Sequence, residues 1–335
     1  MDPFSRYVPV LEEEMRQIAT SDDGPALLYG MLHYHLGWVD AQFNPVQLNA
    51  GKRLRPIFLL LACEAQGGDW RQALPAAAAV EMLHNFSLIH DDIEDRDVLR
   101  RGRPTLWKLW GEAQAINAGD TLFSLAYRAL GRLRETTLTP SRILLIQQRF
   151  INTTIELTEG QCMDIAFETT NAVDEATYLQ MVSGKTAALA SFACEAGALV
   201  AGAPEAQAQA LHDFGFNVGM SFQMQDDLLG LWGDPARTGK PVGADLRQHK
   251  KTLPILQGMA QSAELRTLLA RPHLDDAAIA QAQALLEAAG SRAYTEARAE
   301  TYHQKALAAL ERSQGRGEAH EALYMLTQTL LHRDK

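Results

Sequence analysis

The chain has 335 residues, of which 47% are apolar and 21% charged, and this is the composition of a soluble globular protein. Its formal net charge of -10 argues against nucleic acid as the main partner. An acidic substrate would therefore have to be bound by a local cluster of basic side chains.

Cysteine usage and the least polar segment bear on the compartment. Cys63, Cys162 and Cys194 lack the spacing of a zinc site, so we expect three buried, reduced thiols in a cytoplasmic protein. The N-terminus lacks the order of a signal peptide. The least polar run, 187–203, contains Glu195 and many small residues, which favours a buried helix over a membrane span.

Apolar side chains recur at three- to four-residue steps along most of the chain, which is the periodicity of helices. Helices are predicted over 4–20, 25–39, 57–65, 75–95, 113–132, 140–167, 178–203 and 214–232, and again after 254. Sustained strand alternation and linkers are both missing from the sequence. The pattern predicts one all-α domain over 1–335, a bundle of about a dozen helices around a central cavity.

The predicted helix over 75–95 ends in three carboxylates, those of Asp91, Asp92 and Asp95. At helical spacings of three and four residues they converge on one side and repel one another. Mg²⁺ would relieve the repulsion, because it prefers a few carboxylates together with phosphate and water. Arg100 and Arg101 follow in a Gly/Pro-containing loop and suit bidentate phosphate contacts. We expect a metal-bridged diphosphate site here.

A second basic group lies in the segment GKRLRP. Lys52, Arg53 and Arg55 precede an apolar helix, where cations oppose the helix dipole. An anion held by these side chains and by backbone N–H groups would account for them. A solvated basic loop is the alternative interpretation of this segment taken alone.

The second half of the chain repeats the arrangement of an acidic helix end followed by a basic loop. Gln223, Asp226 and Asp227 fall within one turn, and the loop behind them carries Lys240 and Lys250. Two acidic helix ends that face each other across a cavity would hold several cations between them.

Two further features precede this second acidic group. The segment SGKT is no phosphate-binding P-loop, because Leu179 occupies the position where that motif requires glycine. Lys185 and Thr186 at a kink that faces a cavity fit the sequence better. Gly160 in mid-helix indicates close packing or the approach of a ligand, since glycine there costs roughly 1 kcal/mol against alanine.

Five stretches in this order resemble the trans-isoprenyl diphosphate (polyprenyl) synthase family, and geranylgeranyl diphosphate synthases within it. They are GKRLRP, HNFSLIHDDIED with RRGRPT, GQCMDI, SGKT, and FQMQDDLLGLWGDPARTGKP with DLRQHKKT, spanning about Gly51 to Thr252. The resemblance implies an all-α fold of the isoprenoid synthase type and a homodimer. It also implies head-to-tail joining of an allylic diphosphate to isopentenyl diphosphate.

The resemblance implies a role for each matching residue. Asp91 and Asp95 would bind two Mg²⁺ ions, with Asp92 in support. Asp226 would bind a third ion, with Gln223 and Asp227 beside it. The allylic diphosphate would be held by Arg100, Lys185 and Lys240, and Lys250 of the same basic loop would also bind substrate. Isopentenyl diphosphate would be held, without metal, by Lys52, Arg55, His84 and Arg101. The cavity beside the allylic carbons would be lined by Gln161 and Thr186.

Chemistry agrees with these roles, because ionisation of an allylic diphosphate needs fixed cations around the leaving group. The resulting carbocation then needs a dry apolar pocket. The departed diphosphate is the expected base for the final proton. The family's second acidic motif is usually DDxxD, whereas Gly230 stands in its last position here; Asp234 is near enough in sequence to compensate.

Product length depends on the helix turn before the first acidic motif. Phe86 and Ser87 stand five and four residues before Asp91, and Ser87 lies roughly 6 Å lower along the helix. In the family, aromatics at both positions go with a fifteen-carbon product. A single aromatic at the Phe86 position therefore favours geranylgeranyl diphosphate, with farnesyl and longer prenyl products left open.

Two other functions share some of these features. A class I terpene cyclase also uses an acidic helix motif and Mg²⁺, but it needs no second diphosphate site such as GKRLRP with His84 and Arg101 would form. A non-catalytic prenyltransferase subunit typically loses part of an acidic motif, and Gly230 fits that pattern, whereas the intact first motif argues against it.

Overall fold

The computed structural model describes residues 5–46, 51, 53–170, 173–234 and 243–331, the side chains of 168 and 169 excepted. Within these ranges the chain is helical almost throughout, with one two-stranded sheet. The all-α prediction is confirmed.

The chain divides into two compact units. Unit 1 comprises Met1–Arg149, Ala193–Ala208 and Gly315–Ala322, and unit 2 comprises Phe150–Phe192, Gln209–Gln314 and Leu323–Lys335. The single domain over 1–335 and its central cavity stay predictions.

The elements of the first half begin in unit 1. Its α-helices are α1 Val8–Ile18, α2 Ala26–His35, α3 Leu54–Ala65, α4 Leu74–Glu94, α5 Leu106–Trp110, α6 Glu112–Gly131 and α7 Pro140–Thr169. The strands are β1 Leu99–Arg100 and β2 Arg103–Pro104, and 3₁₀ turns occupy Trp70–Ala73 and Arg132–Glu135.

The remaining helices follow in the second half of the chain. They are α8 Glu175–Val182, α9 Ala188–Val200, α10 Glu205–Trp232, α11 Ala244–Arg247, α12 Leu253–Gln261, α13 Ala263–Leu269, α14 Asp276–Ala288, α15 Ser291–Arg312 and α16 Gly317–Leu331. A π-helical turn, Ser183–Ala187, joins α8 to α9, where the sequence predicts one continuous helix that kinks at SGKT. The helix predicted from 214 begins earlier, at Glu205.

Helix α4 is the centre of unit 1. Its residues from Leu74 to Leu83 are all buried, so α4 is surrounded by α1, α3 and α6 rather than exposed on one face. Four consecutive alanines, 76–79, allow close packing there. On α6, a Cβ at Gly119 would lie 2.3 Å from His90 Nε2, so only glycine permits this approach. The acidic end of α4 is therefore held by packing along most of the helix.

A tight hairpin follows α4. Leu99 pairs with Pro104 and Arg100 with Arg103 in antiparallel register. The two turn residues have positive φ, 54° at Arg101 and 75° at Gly102, which is the two-residue turn that suits a twisted hairpin. The sequence indicated only a Gly/Pro-containing loop here, because strands of two residues are too short to show alternation. The hairpin returns Arg100 toward the end of α4.

Two apolar clusters form the core of unit 2. One gathers Phe167, Tyr178, Met181, Val182, Met220, Met224, Leu253 and Ala299. The other gathers Leu231, Leu246, Ile255, Leu265, Leu268, Leu274, Ile279 and Leu286. Side-chain caps fix the starts of three helices: Asp174 accepts from Thr177 N at 2.8 Å, Ser262 from Leu265 N at 3.1 Å, and Asp275 from Ala278 N at 2.8 Å.

The cysteines differ from one prediction. Cys63 and Cys194 are buried and Cys162 is exposed, although all three are reduced. The prediction of three buried thiols was wrong for Cys162 because α7 turns that position outward. In the part of the chain that the structure describes, every helix is too short or too polar to cross a bilayer.

Candidate active site

The first acidic motif and the hairpin arginine come together in unit 1. Arg100 Nη2 lies 3.2 Å from Asp91 Oδ2, and Arg100 Nε donates to Asp92 Oδ1 at 2.5 Å. The Asp95 backbone N–H caps the helix by donating to Asp91 O at 2.8 Å. One guanidinium therefore spans two neighbouring carboxylates, as fork-shaped donors favour.

The adjacent aspartates have different surroundings. The Asp92 side chain is 3% exposed, whereas that of Asp91 is 20% exposed. Burial raises the pKa of Asp92 to about 6, and the Arg100 guanidinium opposes this increase. Asp92 is thus buried, while Asp91 and Asp95 are both half-buried. This arrangement agrees with a supporting role for Asp92.

The donors of this group fit a hard divalent cation that arrives with a phosphate. Asp91 and Asp95 supply carboxylate oxygens one turn apart, and Mg²⁺ is usually held by one or two carboxylates with phosphate oxygens and water. In the described residues, groups of three or more His, Cys, Asp or Glu side chains arranged around a metal are absent. A site completed by substrate phosphate needs no such group.

A separate basic group surrounds His84, which lies earlier on α4. Arg55 Nη1 lies 3.3 Å from His84 Nε2, and a Cβ at Gly51 would lie 3.0 Å from Arg101 Nη2. Burial and then the charges of Arg55 and Arg101 keep the pKa of His84 well below its usual value. His84 is therefore neutral, and its Nε2 accepts from the guanidinium. Lys52, predicted for the same site, lies outside the described residues.

Arg53, between these predicted ligands, points inward. It is 4% exposed, and its backbone has a φ of 48° at the start of α3. Its guanidinium donates to Glu81 Oε1 at 2.6 Å, to Glu12 Oε1 at 2.9 Å and to Leu36 O at 3.2 Å. The sequence placed Arg53 with the anion-binding cations, but the structure gives it the carboxylates of α1 and α4 and an anchoring role for the GKRLRP segment.

In unit 2, the π-helical turn carries Lys185 against α7. Lys185 Nζ donates to the Asp164 carboxylate. A Cβ at Gly160 would lie 2.1 Å from Lys185 N, so glycine lets the π turn touch α7. The close packing predicted for Gly160 is confirmed. Asp164 is a site residue that the sequence did not assign; its position three residues after Gln161, on the same helical face, was the available signal.

Polar contacts link the π turn to the second acidic motif. Thr186 Oγ1 donates to Gln223 Oε1 at 2.8 Å, and Gln223 Nε2 donates to Asp227 Oδ1 at 3.1 Å. Asp227 Oδ2 accepts from the Tyr178 hydroxyl at 2.5 Å and from Leu253 N at 3.0 Å. Asp227 therefore braces three helices, and Asp226, its half-buried neighbour, is the carboxylate left on the adjoining face.

The buried aspartate of this motif has an altered pKa. Burial raises the pKa of Asp227 to about 7, while the hydrogen bonds from Tyr178 and Gln223 lower it. The nearby carboxylate of Asp245 raises it further. A carboxyl group enclosed in this way is a poor metal ligand but a strong structural acceptor.

The second acidic motif has Gly230 where the family usually has a third aspartate, and a carboxylate from elsewhere in the chain lies beside this position. A Cβ at Gly230 would lie 2.0 Å from Asp245 Oδ2 and 2.5 Å from Asp245 Cγ. Asp245 is 8% exposed, whereas Asp234, the compensating residue that the sequence favoured, is exposed. The carboxylate beside the vacant position thus comes from α11.

The remaining predicted residues lie as follows. Gln161 is half-buried on α7, and Lys250, half-buried after α11, donates its backbone N–H to Asp245 O at 2.9 Å. Lys240 lies outside the described residues. Ser87 Oγ donates to His84 O at 2.8 Å, and Phe86 packs against two aromatic rings.

The chain is similar in sequence to known proteins. The family described as "Polyprenyl synthetase" matches residues 38–287. The chain is 42% identical over 277 residues to (2E,6E)-farnesyl diphosphate synthase of Mycobacterium tuberculosis, covering 80% of this chain and 76% of that protein. It is 39% identical over 323 residues to geranylgeranyl diphosphate synthase of the same organism, covering 92% and 91%.

The fold agrees with the sequence relationship. The crystal structure of geranylgeranyl pyrophosphate synthetase from Pyrococcus horikoshii superimposes with a TM-score of 0.88 at 32% identity, covering 98% of both chains. The chain belongs to the polyprenyl synthetase family. It is a prenyltransferase of the trans-prenyl diphosphate synthase class, with the isoprenoid synthase fold.

Proposed function

We propose that the chain catalyses the Mg²⁺-dependent head-to-tail condensation of isopentenyl diphosphate with allylic diphosphates and releases geranylgeranyl diphosphate. One observation carries this proposal. Two differently charged groups in unit 1 each include a residue of α4: His84 with Arg55 of α3, and Asp91 with Arg100 of β1. Seven residues separate them, roughly 10 Å along the helix. This spacing supports two diphosphates bound side by side, as a condensation requires.

The acidic end of α4 takes the allylic substrate in this proposal. Asp91 and Asp95 would hold metal ions at this end of the helix, and Asp92 keeps Arg100 in place. Arg100, with donors already directed at this end of the helix, binds phosphate oxygens. Mg²⁺, when bound, neutralises the charge that grows on the leaving diphosphate.

Residues of unit 2 have roles of their own in this proposal. Lys185, fixed by Asp164, and Lys240 would bind phosphate oxygens, and Asp226 would hold a metal ion, with Asp227 bracing the helix behind it. The Lys250 ammonium adds a positive charge to the basic loop. Gln161 and Thr186 line the cavity beside the allylic carbons. The Thr186 hydroxyl donates to Gln223, and this hydrogen bond fixes the direction of the hydroxyl.

The basic group takes isopentenyl diphosphate. Arg55, Arg101 and Lys52 supply charge, and neutral His84 supplies an acceptor that orients Arg55.

The allylic C–O bond breaks and diphosphate leaves with the electron pair. The double bond of isopentenyl diphosphate then forms the new C–C bond, and the adduct loses a proton to the departed diphosphate. The chain's own residues serve to hold both substrates and to exclude water.

Product length in this proposal is limited below Asp91. Phe86 is the bulky residue on that turn of α4, and Ser87, whose hydroxyl bonds to its own helix, leaves room beside it. A single aromatic ring on this turn of α4 supports a twenty-carbon product. Relatives that make farnesyl and geranylgeranyl diphosphate are similarly close in sequence, so farnesyl or longer products are the alternatives.

We also propose a homodimer that acts in the cytoplasm. Ile151 and Ile155 stand one turn apart on α7 and are 46% and 50% exposed. Adjacent exposed isoleucines on one helix face support a contact with a second copy of the chain.

The experiment is product analysis of the purified chain with Mg²⁺, isopentenyl diphosphate and each allylic starter in turn. Geranylgeranyl diphosphate from a farnesyl or geranyl starter is the expected product. A hydrocarbon formed from geranylgeranyl diphosphate alone would identify a terpene cyclase. Lack of any product, with both substrates bound, would identify a non-catalytic subunit and overturn the proposal.

A further inference from the structure

A third arginine of the hairpin, Arg103 on β2, binds two backbone carbonyls near the end of α2. Its Nη1 donates to Tyr34 O at 3.0 Å, and its Nη2 donates to Val39 O at 2.8 Å. Tyr34 O belongs to the last turn of α2, where the carbonyl groups carry a partial negative charge that favours a cation. One planar guanidinium therefore joins β2 to the end of α2 and to the segment that follows it.

The side chain of Tyr34 adds two contacts between the same segments. Arg103 Cζ lies 3.7 Å from the centroid of the Tyr34 ring, which is a cation–π contact. The Tyr34 hydroxyl donates to Pro104 O at 2.9 Å. Tyr34 is 5% exposed and packs edge-to-face against Trp110, with 5.2 Å between the ring centroids. The Tyr34 ring is thus a fixed support for β2.

The hairpin depends on contacts of this kind because its strands are two residues long. An isolated two-stranded hairpin is at best marginally stable in water. Arg100 stands directly opposite Arg103, and like charges in such a pair repel each other. Separate acceptors reduce this repulsion, because Asp92 accepts from Arg100 whereas Arg103 donates to the carbonyls. The register of the hairpin is therefore fixed from outside it.

The hairpin supplies one cation to each of the two groups on which the proposed function depends. Arg100 contacts Asp91 at the acidic end of α4. Arg101, in the turn, lies near the GKRLRP segment, since a Cβ at Gly51 would lie 3.0 Å from Arg101 Nη2. A slip of one residue in the strand pairing would turn Arg100 to the opposite face of the hairpin. The contacts that fix the register therefore fix the positions of both cations.

We propose that Arg103 is a positioning residue, which holds the hairpin so that Arg100 and Arg101 meet the two diphosphates. The inference rests on the proposed function. The position requires arginine, because a planar guanidinium reaches two carbonyls at once, whereas a lysine ammonium is a point charge on a flexible stem. Both substrates depend on Arg103, because the two hairpin cations move together.

The test is steady-state kinetics of the purified full-length chain with Mg²⁺, varying isopentenyl diphosphate and the allylic starter in turn. Arg103→Gln should raise the KM of both substrates by about tenfold, since small misplacements of binding groups are costly. Arg103→Lys should raise both KM values less. Arg71→Gln is the matched control and should leave both unchanged, because Arg71 also lies over an aromatic ring, 4.5 Å from the centroid of Trp70, but outside the hairpin.

Double variants distinguish positioning from a general structural role. In an Arg100→Gln chain, Arg103→Gln should hardly change the KM of the allylic diphosphate, because the cation that Arg103 positions is already missing. In an Arg101→Gln chain, the same should hold for the KM of isopentenyl diphosphate. A general loosening of the fold would instead multiply the effects of the two substitutions for both substrates.

The outcomes separate this inference from the proposed function. If the wild-type chain makes no prenyl diphosphate, the proposed function fails, and the inference fails with it. If the wild-type chain is active and Arg103→Gln keeps both KM values, or if the effects multiply fully in both double variants, only the inference is overturned. Should Arg103→Gln not fold, Arg103→Lys decides, and unchanged KM values in that variant would overturn the role of Arg103.

Discussion

The carboxylate of Asp245 packs against Gly230, and a Cβ built at position 230 would be only 2.0 Å from Asp245 Oδ2. An aspartate at position 230, usual in the family, would thus require the Asp245 carboxylate to move. The vacant place in the motif and Asp245 are two parts of one arrangement.

Gly230→Asp should therefore destabilise the chain rather than improve it. Two carboxylates forced together beside buried Asp227 repel each other, and we expect a loss of about 2 kcal/mol in the free energy of unfolding without Mg²⁺. Adding Asp245→Ala should recover most of that loss. Thermal unfolding of the two single variants and the double variant, with and without Mg²⁺ and diphosphate, measures the coupling. Additive effects of the two changes would contradict it.

Alanine substitutions of Asp226 and Asp227 should affect different properties, turnover in the first case and stability in the second. Asp226→Ala should lower turnover by orders of magnitude with little change in melting temperature. Asp227→Ala should lower stability by about 3 kcal/mol, because it leaves the Tyr178 hydroxyl and Leu253 N–H buried without an acceptor. Steady-state kinetics and denaturant unfolding of both variants check this. Near wild-type turnover in Asp226→Ala would exclude it as a metal ligand.

Two neutral histidines should make the fold sensitive to acid. Burial and nearby arginines keep the pKa of His35 and of His84 well below the usual 6.5. Below about pH 6.5 the unfolded chain binds protons that the folded chain excludes, so stability falls as pH drops. Each histidine contributes at most about 1.4 kcal/mol per pH unit.

The measurement is denaturant unfolding between pH 5 and 8. His35→Gln and His84→Gln should each flatten the dependence, and His273→Gln is the control. If both variants show the same pH dependence of unfolding as the wild-type chain, the two histidines are not responsible for it.

Thiol labelling should distinguish the three cysteines. Cys162 is exposed, whereas burial raises the pKa of Cys63 to about 12 and also raises that of Cys194. An alkylating reagent at neutral pH should modify Cys162 alone, and mass spectrometry should find one adduct. Cys162→Ser should then show none until denaturant is added. Adducts on Cys63 in the native protein would contradict its burial.

The proposed homodimer should depend on α7. Ile155→Glu places a charge on an exposed apolar position, and we expect dissociation to monomers, seen as halved mass by sedimentation. Met325→Glu is a matched control, since Met325 on α16 is 61% exposed. A dimer that survives Ile155→Glu would place the contact elsewhere.

Sequence periodicity predicts what is local and regular in this fold. Helical spacing predicts the half-buried Asp91 and Asp95 one turn apart at the end of α4, but it also predicted that Asp92 would join them, whereas Asp92 is buried. The hairpin at Arg101 and Gly102 was missed because its strands are two residues long. Contacts between distant segments, such as Gly230 with Asp245 or Arg53 with Glu81, leave no periodic trace, so only the structure shows them.

The π-helical turn has a consequence for how the chain tolerates insertions and deletions. A π turn accommodates one more residue than an α-helical turn, so losing one residue from 183–187 would convert this segment to an ordinary α-helical turn and leave the direction of α9 little changed. The close approach of Ala190 to Gly215, where a Cβ would lie 2.3 Å from Ala190 O, would be kept. The loss would fall on the turn itself, which carries Lys185 against the Asp164 carboxylate.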